Sequence, residues 1–320
     1  MRVNRRFLYW GIFLVSLGGV LVAADLTAVD SATIADALRL WPFAIIAIGL
    51  GLVLRRTRFS LAGGLIAAAI PGLLVGGAFA VGPRLAIDCG ASAAPSNTVV
   101  HEGSFAGPAR VSVSTGCGEL VVDTVSGSDW RFQAGNTRSR TPIISESPRS
   151  LTIDAGGHEG WRAFDEGRDI WKLTLPKDSL EDLSFAVNAG IGRIDLADAL
   201  VNGLDVTTNA ADTTVDLSGA SVSDLSGTVN AGKLSFSLSA ATDMAVSLEV
   251  NAGALEVCAP SGLDLKVHQT GALNGVKVNG LNQTATDWQS PNYGLAAHHA
   301  DLTINANLGS VEINPIGGCK

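Results

Sequence analysis

The tripeptide Asn-Ala-Gly, once as Asn-Ala-Ala, stands at 188–190, 209–211, 230–232 and 251–253, and each Asn lies 21 residues from the next. No other feature narrows the fold so far. With each Asn as position zero, position −5 reads Leu183, Leu204, Leu225 and Val246, and position −1 reads Val187, Thr208, Val229 and Val250. Position +6 reads Ile194, Val215, Phe236 and Val257, and +8 reads Leu196, Leu217, Leu238 and Ala259. Apolar and polar residues alternate on both sides of the tripeptide, the period of a half-buried strand. Each unit therefore reads as strand, tight turn, strand and connection.

The turn chemistry accounts for the tripeptide. Asn tolerates left-handed backbone angles, and Gly supplies positive φ without steric cost. A strictly held interval asks for more than a turn. It fits coils stacked one strand spacing (about 4.8 Å) apart, with the same corner repeated in each. Asn188, Asn209, Asn230 and Asn251 would then form a ladder, each amide bonding the next. The expected fold is a parallel β-solenoid with 21-residue coils; the alternative is a β-meander or sandwich in which the same turns close hairpins.

Weaker copies extend the pattern. "LTINANLGSVEI" aligns with Asn305 as zero, and "VSVSTGCGELVV" places Ser114-Thr115-Gly116 in the corner. The fifth interval falls on Ala272, a degenerate coil with Val276 and Val278 at +4 and +6. Residues 124–180, which hold Trp130, Trp161 and Trp171, read as irregular strands and long loops covering one end of the stack. Such an end needs cover, because open strands pair with other molecules.

The first 82 residues are a different material. Apolar runs Phe7–Ala23, Leu40–Leu54 and Phe59–Val81 read as three membrane spans, the second short. Small residues at Leu21-Val22-Ala23-Ala24 after a basic start also suit a cleavable signal, but two further apolar runs favour retention. Arg2, Arg5 and Arg6 precede the first run, and Arg55, Arg56 and Arg58 separate the second and third. The loop between the first two carries Asp25, Asp30 and Asp36 against Arg39. The positive-inside rule puts both arginine clusters in the cytoplasm and the C-terminal domain outside. The expected organisation is a helical bundle over 1–82, a linker over 83–97 and a β-domain over 98–320, in a multi-pass protein of the cell membrane.

Charge and cysteines agree with that placement. Up to Gly82 there are seven basic and three acidic residues; beyond it there are 15 and 27. So acidic a domain argues against nucleic acid, since phosphate binding needs clustered Lys and Arg. Cys89, Cys117, Cys258 and Cys319 all fall outside the apolar runs, at spacings unsuited to zinc. Two disulfides in an oxidising exterior are expected, with all three connectivities open.

No catalytic, cofactor or metal signature stands out. His298-His299 reads as a solvated loop, "HEG" at 158–160 is not a zinc-protease motif, and "NAGIG" lacks a third Gly. Stacking would set Asp195 above Asp216, about 5 Å apart. Such a pair could hold Ca²⁺ or act on a glycoside, or form a solvated column relieved by Arg193.

The segment "RRFLYWGIFLVSLGGVLVAADL…LRLWPFAIIAIGLGLVLRR" resembles the LiaI/LiaF-like transmembrane region, and "IWKLTLPKDSLEDLSFAVNAGIGRIDLADALVNGLDVTTNAADTTVDLSG" resembles the toast-rack β-domain that follows it in bacterial envelope proteins. The resemblance implies a non-enzymatic envelope-stress component restraining a membrane histidine kinase, or another envelope protein, through its lipid-embedded helices. Three spans depart from the four of some relatives. The competing expectations are an adhesin-like surface protein and a polysaccharide-acting β-helix enzyme.

Overall fold

The computed structural model describes residues 5–25, 49, 63–65, 67–73, 97–137, 139–156, 167–271, 276–284, 287–291 and 293–318. The chain divides into two compact units, Met1–Leu85 and Ala86–Lys320.

In the first unit, helix α1 covers Arg5–Asp25, with side chains described over 8–19. Residues 63–65 and 67–73 are also helical. Gly64 lies against the Tyr9 ring, and Gly72 against Phe13, Ser16 and Leu17. Glycine leaves room for the Tyr9 ring at 64 and lets the two backbones approach at 72, because it carries no side chain. Among the described residues, no helix is long and apolar enough to cross a membrane. Most of the runs Leu40–Leu54 and Phe59–Val81 lies outside the described residues, so a three-span bundle remains an expectation.

The second unit is built from strands β1 (Asn97–Ser104), β2 (Ala109–Val125), β3 (Asp129–Asn136), β4 (Ile143–Ser147), β5 (Ser150–Asp154) and β6 (Asp169–Pro176). The regular block follows as β7 (Leu180–Asp195), β8 (Leu200–Asp216), β9 (Ser221–Ser237), β10 (Met244–Val250) and β11 (Ala254–Cys258). Then come β12 (Leu263–Thr270), β13 (Val276–Val278), β14 (Asn282–Gln283), β15 (Asp287–Gln289), β16 (His298–Ala306) and β17 (Ser310–Ile313).

Strands β7, β8 and β9 each run through the corner without a break, and they pair in parallel. Leu183 lies beside Leu204, Leu204 beside Leu225 and Leu225 beside Val246, so every step is one 21-residue repeat. The parallel register excludes hairpins in this block, and with them the meander. Buried rows face each other from the two halves of each coil: Leu183, Phe185 and Val187 from one, Ile194 and Leu196 from the other. The result is a β-solenoid-like stack of two parallel sheets with the core between them. In the next coil Thr208 and Thr213 replace apolar residues and are fully buried; Thr208 Oγ1 donates to Thr213 Oγ1 at 3.0 Å. That bond answers the desolvation of both hydroxyls.

The stack order is not the chain order. The last repeat, β16 and β17, lies between β10/β11 on one side and β12/β13 on the other. At the opposite end β2 lies between β7 and the later strands β5 and β6. Residues 124–180 are thus largely strands, two of which are full members of the parallel stack. The cover is antiparallel: β3 on β6, β1 on β3, β4 on β5. Trp130 and Trp171 are buried in it, while Trp161 lies outside the described residues. At the far end β15 pairs antiparallel with β12, and β14 with β15.

The two weak copies sit two residues from their expected alignment. Thr115 pairs with Val187 and Cys117 with Ala189, which puts Gly116 opposite Asn188. Val250 pairs with Ala306, which puts Asn307 in the place expected of Asn305. A slip of two residues leaves every side chain on its face, so alternation alone does not detect it. The deciding signal is Asn307-Leu308-Gly309, another Asn-x-Gly. Gly309 has φ +124°, and a Cβ there would overlap the Gly253 carbonyl. Ala272 lies outside the described residues, but Val276 pairs with Val311 as the interval requires.

Candidate functional site

The corner amides stand in line. Asn188 donates to the Thr115 carbonyl at 2.6 Å, Asn209 to Asn188 at 2.5 Å, and Asn230 to Asn209 at 2.7 Å. Asn251 then donates to Asn230 at 2.9 Å and Asn307 to Asn251 at 3.1 Å. Each interior amide donates on one side and accepts on the other, so the row is structural and offers no reactive group.

The opposite corner explains the aspartates. Asp195 and Asp216 are neighbours in the stack. Asp195 Oδ1 accepts from Ala197 N at 3.0 Å, and Asp216 Oδ1 from Ser218 N at 2.9 Å. Each closes a turn in its own coil. Arg193 does not relieve them; it bonds Glu119. One oxygen of each carboxylate is thereby committed to its own turn.

His298 and His299 begin β16 and are not in a loop. Asp243 Oδ1 accepts from His299 N at 3.0 Å and lies 3.0 Å from His299 Nδ1 and 3.5 Å from His298 Nδ1. The His299 backbone bond holds the Asp243 carboxyl below the usual carboxylate range, with the two imidazoles adding to it. Nearby, buried Asp264 accepts three backbone N–H groups, from Gly294, Leu295 and Ala296. Among the described residues, no three His, Cys, Asp or Glu groups are placed to hold a metal ion. Tyr293 donates to Asp301 at 3.2 Å, and burial, then the Asp301 charge, raises its phenol.

Cys117 lies at the first corner and Cys258 at the end of β11; among the described residues no cysteine is a free thiol. Cys89 and Cys319 lie outside the described residues.

Sequence reasoning missed a trough of about 890 Å³ on the outer face of the first sheet. It crosses seven strands, β5, β2, β7, β8, β9, β10 and β16, at positions −6 to −4 of their coils. Small residues open it: Ser184, Gly203, Ser226, Ala245 and Ser247 leave the backbone of the −5 row as the floor. Asp182, Asp205, Asp224 and Asp301 line it, and Arg110 stands at one end. The available signal was the run of Ser, Gly, Asp and Ala flanking the apolar −5 row, which reads as ordinary solvated polarity until the coils are stacked.

The family model described as "N-terminal domain of toast_rack, DUF2154" matches residues 96–238. This β-unit carries a toast-rack domain. The match ends at the first residue after β9, so the toast-rack segment includes the cover and the four long strands β2, β7, β8 and β9. No curated protein matches the chain. Among solved structures, the chain is similar to a candidate cell adhesion protein from Clostridium sporogenes, with 16% identity, 68% of this chain and 99% of that one covered, and a TM-score of 0.46. A candidate adhesin from Bacteroides fragilis shares 11% identity over 68% and 97% of the chains, with a TM-score of 0.31. A candidate lipid binding protein from Parabacteroides distasonis shares 11% over 68% and 97%, with a TM-score of 0.28. Scores this low transfer no role to the toast-rack domain.

Proposed function

We propose that this chain is a non-enzymatic membrane protein of the bacterial cell envelope, whose toast-rack domain lies outside the membrane and senses its surroundings. Its helices pass the state of that domain to a membrane partner such as a histidine kinase. The observation that carries the binding role is the trough: its lining has carboxylates, hydroxyls and one guanidinium, with no histidine, cysteine or lysine. That lining suits an equilibrium ligand and lacks a nucleophile paired with a base.

Membrane attachment is supported by α1 and its neighbour. Trp10, Leu14, Val15 and Leu73 are exposed although the segments are apolar, which suits a lipid surround. Arginine-rich flanks then set the orientation, and an oxidising exterior would pair the four cysteines.

The test is to delete the gene, restore either the full chain or residues 1–82 alone, and measure envelope-stress transcripts under a cell-wall antibiotic. Deletion should change the transcripts, and only the full chain should restore the antibiotic response. Identical transcripts in all strains would sink the sensor reading. An adhesin-like role is the second reading, because the same exposed polar face could meet a surface. Loss of attachment with unchanged transcripts would favour it.

A further inference from the structure

Acids on the outer faces of the stack are paired with cations in some places and open in others. On the second sheet three acids are paired with cations: Lys233 bonds Glu256 at 2.9 Å, Lys172 bonds Asp123 at 3.0 Å, and Glu119 meets both Arg168 and Arg193. On the first sheet the one cation of the trough is already used. Arg110 bonds Glu181 and Asp182, each at 3.0 Å, and these raise its pKa. Asp205 and Asp224, in the middle of the trough, form no ion pair among the described residues. The two acids in the middle of the trough are thus left open along a groove, while Asp182 is held by Arg110.

We infer that this trough binds an extended, polycationic chain laid along the stack, such as a lysine- or arginine-rich peptide segment. The inference rests on the sensor reading above and names the chemistry of its ligand. Three features select that occupant. The trough crosses seven strands, so it runs about 29 Å at about 4.8 Å per strand. An extended peptide rises about 3.4 Å per residue, so eight or nine residues fill it. Asp182, Asp205 and Asp224 lie on successive strands, alternating between positions −6 and −4. Flexible ammonium stems can reach such a zigzag, while a rigid polyanion would be repelled by it. The trough also has no aromatic platform, so a sugar ring finds nothing to stack upon.

The test uses the full chain in nanodiscs of zwitterionic lipid, titrated with octalysine, octaglutamate and a neutral chitin oligomer. Octalysine should bind, and its affinity should fall steeply between 0.05 and 0.5 M salt. Asp205→Asn with Asp224→Asn should weaken it about fivefold or more, since each partly exposed ion pair contributes modestly. Asp178→Asn with Asp198→Asn removes the same charge elsewhere and should change affinity less than twofold. No octalysine binding, equal loss in both double variants, or preferred binding of octaglutamate or chitin oligomer would each overturn the proposal. Circular dichroism of each variant verifies folding, and Asp224→Asn alone, on an exposed site, serves if the double variant misfolds. Binding that holds while the stress transcripts ignore the gene would keep the ligand and overturn the sensor reading. Transcripts that respond while octalysine fails to bind would do the reverse.

Discussion

Asn307 donates its side-chain amide to Asn251 at 3.1 Å, across 56 residues of chain. The bond marks where the chain abandons serial stacking. After β11 it builds β12 and β13 at a distance of one coil, then returns to fill the gap with β16 and β17. Ile304, fully buried, therefore pairs with Leu248 on one side and Gln269 on the other.

Ile304→Ala should cost about 2–5 kcal/mol, the usual range for truncating a buried isoleucine. Hydrogen exchange on the full chain in detergent should speed up in both 244–250 and 263–270, with 180–195 little changed. If 244–250 kept its protection, the interleaved order would be wrong.

The amide row makes a second, more local prediction. Asn230 donates to Asn209 and accepts from Asn251, at an exposed corner. Asn230→Ala should cost about 1–2 kcal/mol, near 1 per exposed bond lost. Faster exchange should appear around 205–257 and not around 109–125, because each coil touches only its neighbours. Gly232→Val at the same corner should cost more. Gly232 has φ +99°, which a β-branched residue resists, and a Cβ there would overlap the Ala211 carbonyl.

How much of this was legible follows from what a period of two can and cannot encode. The four Asn at a fixed interval carried the coil length, the parallel stack and the buried rows. They said nothing of topology, because strand pairing between β10 and β16 leaves no mark on either sequence beyond alternation. The weak copies were placed two residues out for the same reason. Only Asn307 and Gly309 pin that register, and a single Asn-x-Gly is an unremarkable turn. The cover was read as irregular strands with long loops, and its pairing stayed hidden because β3 to β6 break the repeat length while keeping the alternation. The trough stayed invisible because Asp182, Asp205 and Asp224 become one feature only after the coils are stacked.

The cysteines give a third expectation. Cys117 and Cys258 lie in different strands, and an oxidising location would join the four cysteines in two disulfides. Non-reducing peptide mapping of the chain purified from its host membrane should find two disulfides and no alkylated thiol. Alkylation of all four without reduction would place the domain in a reducing compartment.

Acid should loosen the start of β16. The ordinary carboxyl value for Asp243 is 3.8, and the folded value is lower because His299 N–H bonds the charged form first and the imidazoles favour it. A carboxylate with a lowered folded pKa stabilises the fold above the unfolded value, and that contribution disappears as pH falls through the folded one. The wild type should thus lose stability more steeply than Asp243→Asn from about pH 5 downward. Parallel acid melts of both proteins would show curves that converge as the pH drops. Curves that stay parallel would mean the contact does not couple to folding.

The buried threonines provide the sharpest energetic test. Thr208 and Thr213 face each other across one coil, where the neighbouring coil places Val229 and Leu234. Valine has nearly the shape of threonine without its hydroxyl. Replacing Thr208 alone leaves Thr213 Oγ1 buried without that partner, a cost of about 1–3 kcal/mol. Replacing Thr213 alone strands Thr208 similarly. Replacing both removes two buried hydroxyls together, and the double variant should match or exceed the wild type in stability. Urea denaturation of the four proteins closes the cycle, with a coupling of opposite sign to the two single costs. Additive losses would show that each hydroxyl is satisfied independently, and the pair would then have no joint role in this coil.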